Sequence, residues 1–246
     1  MKVKEALSNS WGILRREPKF LLPMIIVTGL SSAVLWLRRD PFENFLLIFI
    51  LSMIGIIVSV LVYGMYPSMV RDYLEKEEID FRDSLHFSYH KFWSLIGASI
   101  LAGIVLFAVI TPISLLLSFA EMLFHISTLS ALIRIIVGLL ILAFFYYLFA
   151  AIIMDDLKAF SGFEKSIKVA KDNYLFTLLI LSVPAVILLV VAIPFIVYAL
   201  GMPAGLRMAN HIPILLLVLY FIIALFIETW ASIIACYAYY NLSKSG

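Results

Sequence analysis

Long apolar runs alternate with short charged segments along the whole chain. Six runs stand out: Phe20–Leu37, Phe45–Tyr66, Trp93–Leu117, Leu132–Met154, Tyr174–Leu200 and Ile212–Tyr240. Each holds close to the roughly 20 apolar residues that a helix needs to cross ~30 Å of hydrocarbon. A different pattern precedes each odd-numbered run. In Val3–Leu14, Phe81–Phe92 and Phe163–Tyr174 the apolar and small residues recur at offsets that share one face of a helix. The opposite face is polar, as with Glu164, Lys165, Lys168 and Lys171 in the third stretch. Apolar contact with lipid, together with bases near anionic headgroups, would hold such helices in the membrane interface.

Laid over one another, the three amphipathic stretches agree position by position. Val3, Phe81 and Phe163 open them, and small Ala6, Ser84 and Ser166 come three residues later. Leu7, Leu85 and Ile167 follow, then small Ser10, Ser88 and Ala170, then Leu14, Phe92 and Tyr174. The far ends of the paired runs also correspond, in Asp72-Tyr73-Leu74, Asp155-Asp156-Leu157 and Tyr240-Asn241-Leu242. The pattern predicts one transmembrane domain over residues 1–246, built from three units at 1–77, 78–159 and 160–246. Each unit would be an interfacial helix, a span out and a span back, so a pseudo-threefold axis along the membrane normal would relate them. Any amphipathic helix on the cytosolic side shares part of this spacing. The small residues are the additional signal, because they would let each interfacial helix lie close against the spans.

Composition agrees with the spans. Hydrophobic residues make up 64% of the 246 positions and charged residues 14%, against about 45–50% apolar in soluble domains. A soluble fold of this size could not hide that much apolar surface. Net charge is only +2, but the bases are unevenly placed. Fourteen fall before span one, between spans two and three, between four and five, or in the tail; Arg38, Arg39, Arg207 and Arg134 are the four on the other side. The positive-inside rule then puts both termini in the cytosol of a multi-pass cell-membrane protein. Tyr63 with Tyr66, Tyr146 with Tyr147, and Tyr237 with Tyr239 and Tyr240 gather near span ends, as in an aromatic belt. The N-terminal residues lack an apolar core followed by a small-residue cleavage site, so no removed signal peptide is expected. The lone Cys236 has no partner for an intramolecular disulfide.

Candidate chemistry is sparse. The chain has no HExxH, GxSxG, GxxxxGK[ST] or CxxC pattern, so no catalytic, cofactor or metal residue is assigned. Gly201 and Gly205 match GxxxG spacing, but beside Pro203 in an outer loop they read as a turn. His86 and His90 could share one helical face and a metal, but without a clear third ligand a wet polar face is the better reading; His125 and His211 stand apart on the outer side. Asp155 and Asp156 could hold Mg²⁺ against phosphates or could be solvated caps of a helix end. Pro112, Pro184 and Pro194 should interrupt spans three and five. Glu228 is the main candidate, because it lies near the middle of the last span among apolar neighbours. An acid there costs at least ~2.5–3.5 kcal/mol on insertion scales and should face the bundle interior or water. Counted back from Leu74, Leu157 and Leu242, the same level falls at Val60 and Ala143, so the acid belongs to the third unit alone. It is either a proton, cation or substrate site, or a structural carboxyl hydrogen-bonded to a residue such as Ser59, Ser99 or Thr111.

Three segments carry a family resemblance: Ala6-Leu-Ser-Asn-Ser-Trp11, Arg15-Arg-Glu-Pro18, and Phe163-Glu-Lys-Ser-Ile-Lys-Val-Ala-Lys-Asp-Asn173 before span five. In this order the chain resembles the six-span membrane domain fused to some glycerophosphoryl diester phosphodiesterases, and stand-alone prokaryotic relatives of unknown function. The catalytic barrel of those enzymes is absent, so the resemblance implies a membrane domain and no activity. The expected fold is thus an all-α integral membrane protein of six spans plus three cytosolic interfacial helices. The expected role is a non-enzymatic scaffold or a lipid- or partner-binding module; a small transporter or channel using Glu228 is the alternative. Expected partners are membrane lipids and either a protein or a second copy of the chain, with no nucleic acid and no cofactor.

Overall fold

The computed structural model describes residues 1–37, 44–124, 127–201 and 214–244. Among these there are ten α-helices and no strand: α1 (Val3–Arg16), α2 (Leu21–Leu37), α3 (Phe45–Lys76), α4 (Phe81–His90), α5 (Phe92–Phe124), α6 (Ser127–Phe145), α7 (Leu148–Met154), α8 (Ala159–Asp172), α9 (Tyr174–Gly201) and α10 (Ile214–Lys244). Six helical segments are long and apolar enough to cross a membrane: α2, α3, α5, α6 with α7, α9 and α10. Arg38, Arg39, His125, residues 202–205, Arg207, Asn210 and His211 lie outside the described residues.

Local chemistry sets several helix ends. Asp80 precedes α4 in an extended conformation, and its Oδ1 accepts from the N–H groups of Arg82 (2.8 Å) and Asp83 (3.1 Å). That satisfies two of the donors which a helix start leaves open. Arg15 and Arg16 occupy the last turn of α1, where their charge suits the negative end of the helix. The helix stops there because Glu17 precedes Pro18 and is forced out of the helical region. A short turn over Pro18–Phe20 then leads into α2.

Two expectations about the spans need correction. Spans two and three run past their expected ends: α3 continues through Pro67 to Lys76, and α5 continues to Phe124. At 1.5 Å per residue α3 is about 48 Å long, more than a bilayer core requires. It ends only at Glu77, whose φ of 58° is left-handed. The prolines at 112 and 184 do not interrupt α5 or α9, which are continuous helices. Among the described residues, the one break inside a span falls in span four, where no proline stands, at Tyr146 and Tyr147 between α6 and α7. There Tyr146 N–H reaches the Ala143 carbonyl at 3.5 Å, a tightened i−3 contact, and the next helix begins afresh. Tertiary hydrogen bonds hold the two tyrosines out of helical register. Tyr146 donates to the Ala231 carbonyl of α10 (3.1 Å), and the Tyr147 hydroxyl meets Thr177 Oγ1 of α9 (3.1 Å).

The helices pack in a cycle. The helices α3, α7 and α10 touch one another at the centre. Around them α2 sits against α3 and α10, α5 against α3 and the α6–α7 span, and α9 against α10 and α6. The short helices follow the same order: α4 lies on α3, α8 on α6 and α7, and α1 on α10, at the opposite end of the chain. Small residues make these seats possible. Ala6, Ser10, Ser84, Ser88, Ser166 and Ala170 are all fully buried. Ser88 donates to the Leu61 carbonyl of α3 (2.7 Å), and Ser166 to the Phe144 carbonyl of α6 (3.0 Å). Leu61 and Phe144 stand the same number of residues before Leu74 and Leu157. In the remaining seat Trp230 Nε1 of α10 donates to Ser10 Oγ at 3.0 Å, and Asn9 Nδ2 donates to the Tyr237 hydroxyl at 2.8 Å. The Ser-Asn-Ser-Trp segment is therefore a docking strip for α10, since the Trp11 ring also meets Trp230 edge-on at 5.6 Å.

Candidate functional site

Glu228 lies midway along α10, and its side chain faces a cavity of about 460 Å³ bounded by α3, α5, the α6–α7 junction and α10. Small side chains leave this space open, with Ala231, Ser232 and Ala235 on α10 facing Ser99, Ala102 and Gly103 on α5. Five aromatic residues, Tyr63, Tyr66, Phe145, Tyr146 and Phe149, supply much of the wall. Among the described residues no lysine, arginine or histidine lines the cavity, and Glu228 is the acid there. Glu228 is close enough to Tyr63 and Tyr66 to interact with them electrostatically. Pro67 also borders the space and has no N–H to give the Tyr63 carbonyl one turn earlier, which leaves the helix's own ladder incomplete there. Gly103 and Leu142 on the rim are exposed on the outer surface of the bundle.

A second cavity, of about 580 Å³, adjoins the first between α2, α3 and α10. Both are lined by Tyr63 and Phe149, whose ring centroids are 6.5 Å apart. These two side chains thus stand at the boundary of the chambers.

The polar partners expected for a structural Glu228 are otherwise engaged or elsewhere. Ser99 lines the same cavity, but its hydroxyl donates to the Leu95 carbonyl (2.8 Å). Ser59 borders the neighbouring chamber, and Thr111 borders neither. Ser232 bonds the backbone carbonyl of Glu228 (2.9 Å), not its carboxyl. Among the described residues no side chain is hydrogen-bonded to that carboxyl.

The other candidates resolve differently. Asp155 and Asp156 diverge, and Asp156 has a left-handed φ of 56°. Asp155 Oδ2 accepts from the Tyr239 hydroxyl of α10 at 2.7 Å and has Lys165 of α8 at 3.9 Å. Asp156 pairs with Lys91 Nζ at 2.7 Å, and the same ammonium donates to the Asp156 and Leu157 carbonyls (3.0 and 3.3 Å). The two acids therefore tie the end of α7 to α8, to α10 and to the α4–α5 junction at Lys91, and do not converge on a common ion. His86 and His90 do converge, with Nε2 atoms 3.0 Å apart, yet among the described residues no third His, Cys, Asp or Glu joins them. Cys236 is buried in the Glu228 cavity wall.

Sequence reading missed one pair. Arg134 of α6 is bonded to Glu121 Oε1 (3.2 Å) and Ser118 Oγ (3.0 Å) of α5. Glu121 lay beyond the expected end of span three and so was not matched to the arginine that crosses to it. A base just inside one apolar span calls for an acid at the facing depth of its neighbour, and that signal could have found the pair.

Six helices long and apolar enough to cross a membrane mark a multi-pass helical membrane protein. The chain belongs to the family described as Domain of unknown function (DUF7847), whose model matches residues 1–239. No curated protein and no solved structure matches the chain.

Proposed function

We propose that this protein is a non-enzymatic membrane module that binds an amphiphilic molecule in the cavity beside Glu228. The cavity itself carries the reading. It has a size usual for small-molecule sites, is walled mainly by apolar and aromatic groups, and holds a few polar groups that could orient a ligand. An exposed rim at Gly103 and Leu142 suits entry from the bilayer rather than from water. The separate engagement of Asp155 and Asp156 supports a role without catalysis. Kinship with the phosphodiesterase membrane domain belongs to the same proposal and rests on the three sequence segments that suggested it.

A Cβ added at Gly103 would meet nothing within 4 Å, so Gly103→Phe places its ring at the rim without displacing the fold. Native mass spectrometry from nanodiscs should show an adduct retained by the wild type and lost by Gly103→Phe, with unchanged thermal stability. Equal adducts in both proteins would remove the binding reading. A second reading, transport, is favoured by the shared Tyr63–Phe149 boundary, which would separate two alternately filled chambers.

The threefold repeat, the interfacial placement of α1, α4 and α8, and the cytosolic termini are part of this proposal. Support for the repeat is the position of α1. Chain adjacency explains why α4 lies on α3 and α8 on α7, but not why α1 takes the corresponding seat on α10. Support for the interface is the exposure of Trp11, Leu85, Tyr89, Trp93 and Phe160 beside charged residues at one end of the bundle. A cysteine at Lys165 should stay unlabelled by an impermeant maleimide in intact cells, and one at Asn210 should label. Buried Cys236 gives little background. The reverse pattern would invert the orientation.

A further inference from the structure

We infer that the ligand of the Glu228 cavity is an amphiphilic organic monocation, a protonated or quaternary amine carried on an apolar body. This deepens the binding reading above and rests on it. Charge selects the sign. Among the described side chains that line the cavity, the carboxyl of Glu228 is the one acid, and no Lys, Arg or His stands beside it to neutralise it. None of the described side chains is hydrogen-bonded to that carboxyl, so it is free to receive a donor from the cavity. An anion would enter against an acid with no compensating partner.

The wall selects the kind of cation. Rings from α3, α6, the α6–α7 junction and α7 line the same cavity as the acid, and aromatic rings attract ammonium groups most strongly where water is scarce. A small inorganic cation fits the site poorly. Mg²⁺ and Ca²⁺ need several oxygen ligands, whereas the cavity provides one carboxylate among phenols and hydroxyls, and among the described residues no three His, Cys, Asp or Glu side chains cluster. The volume of about 460 Å³ also exceeds what a bare ion requires. The rim at Gly103 and Leu142 opens onto the apolar outer surface, so the cation must be soluble in the bilayer. A neutral lipid tail is the competing occupant, and it needs no charge on residue 228.

Two ions of nearly the same shape and opposite sign separate these occupants. Purified protein in nanodiscs is titrated with radiolabelled tetraphenylphosphonium and, in parallel, with tetraphenylborate. The wild type should bind the phosphonium saturably and discriminate against the borate. Glu228→Gln should weaken phosphonium binding by about tenfold or more, the scale of a lost charge-assisted contact. Glu228→Asp, with the charge kept, should restore most of it and serves as the control for folding. Equal binding of both ions, or a Gln variant that binds the phosphonium like the wild type, would overturn the cation proposal and leave a charge-blind binding site. Absence of phosphonium binding to the wild type overturns the cation proposal as well. The binding reading itself then stands or falls separately, on the adduct that Gly103→Phe is expected to lose.

Discussion

Replacing Gly64 with valine should unseat α4 and destabilise the protein by about 2–4 kcal/mol. Gly64 is fully enclosed where α4 crosses α3, and even a Cβ there would run into Ser88 Oγ and Leu95 Cδ1. A serine hydroxyl could rotate away from one methyl, but valine's two branches leave no free direction. The Ser88–Leu61 hydrogen bond would break, and both polar groups would be left in an apolar seam. Thermal unfolding in nanodiscs, with tryptic cleavage at Arg82 and Lys91 as a second readout, should register the release of α4. Gly12→Ala is the matched control, because a Cβ at Gly12 meets nothing within 4 Å. If Gly64→Val unfolds and is cleaved like that control, the close α3–α4 seat does not exist in solution.

Removing Trp230 should have a comparable effect at the seat of α1 on α10. Trp230 is 8% exposed, fills the seam between α1 and α10, and supplies the indole N–H that Ser10 accepts. Truncating a buried tryptophan to alanine costs about 3–5 kcal/mol in well-packed cores. Trp230→Ala should therefore detach α1 and open Arg15 and Arg16 to protease, while Trp230→Phe should retain most of the packing and lose only the hydrogen bond. Ser10→Ala alone should cost about 1 kcal/mol, and combined with Trp230→Phe it should add little more, because both remove one contact. Full additivity would mean that Ser10 and Trp230 act independently, contrary to the 3.0 Å bond.

These two seats show how far sequence alone could reach. The small residues at 6, 10, 84, 88, 166 and 170 were visible as a recurring pattern, and all six are fully buried. Their partners were not visible, because Gly64, Leu61, Phe144 and Trp230 belong to other helices. The starts of α1 and α4 at Val3 and Phe81 matched the apolar pattern, whereas α8 begins at Ala159, four residues before the expected Phe163. Its first turn lies along α7, so Gly162 is buried against Ile152, a contact with no periodic signature.

The candidate site divides in the same way. Glu228 was legible because a charge in an apolar run is conspicuous against the cost of desolvating it. The cavity was not, since it is made by what four separate helical segments omit: small side chains on α5 and α10, and a helix break at Tyr146 and Tyr147. That break was unreadable from local preference, because neither residue is a helix breaker. Hydrogen bonds to Ala231 and Thr177, on helices far away in the chain, hold it.

By itself the sequence determined that this chain forms six apolar helices of membrane-spanning length with amphipathic helices between them. Hydrophobic length and periodicity are local properties, and each helix satisfies its own backbone hydrogen bonds. Only the tertiary structure decided which helix lies on which, that α1 closes the cycle on α10, and that Glu228 meets an open aromatic chamber rather than a serine. In a membrane lipid is as apolar as leucine, so hydrophobicity does not choose partners; close packing of small residues and a few directed hydrogen bonds do.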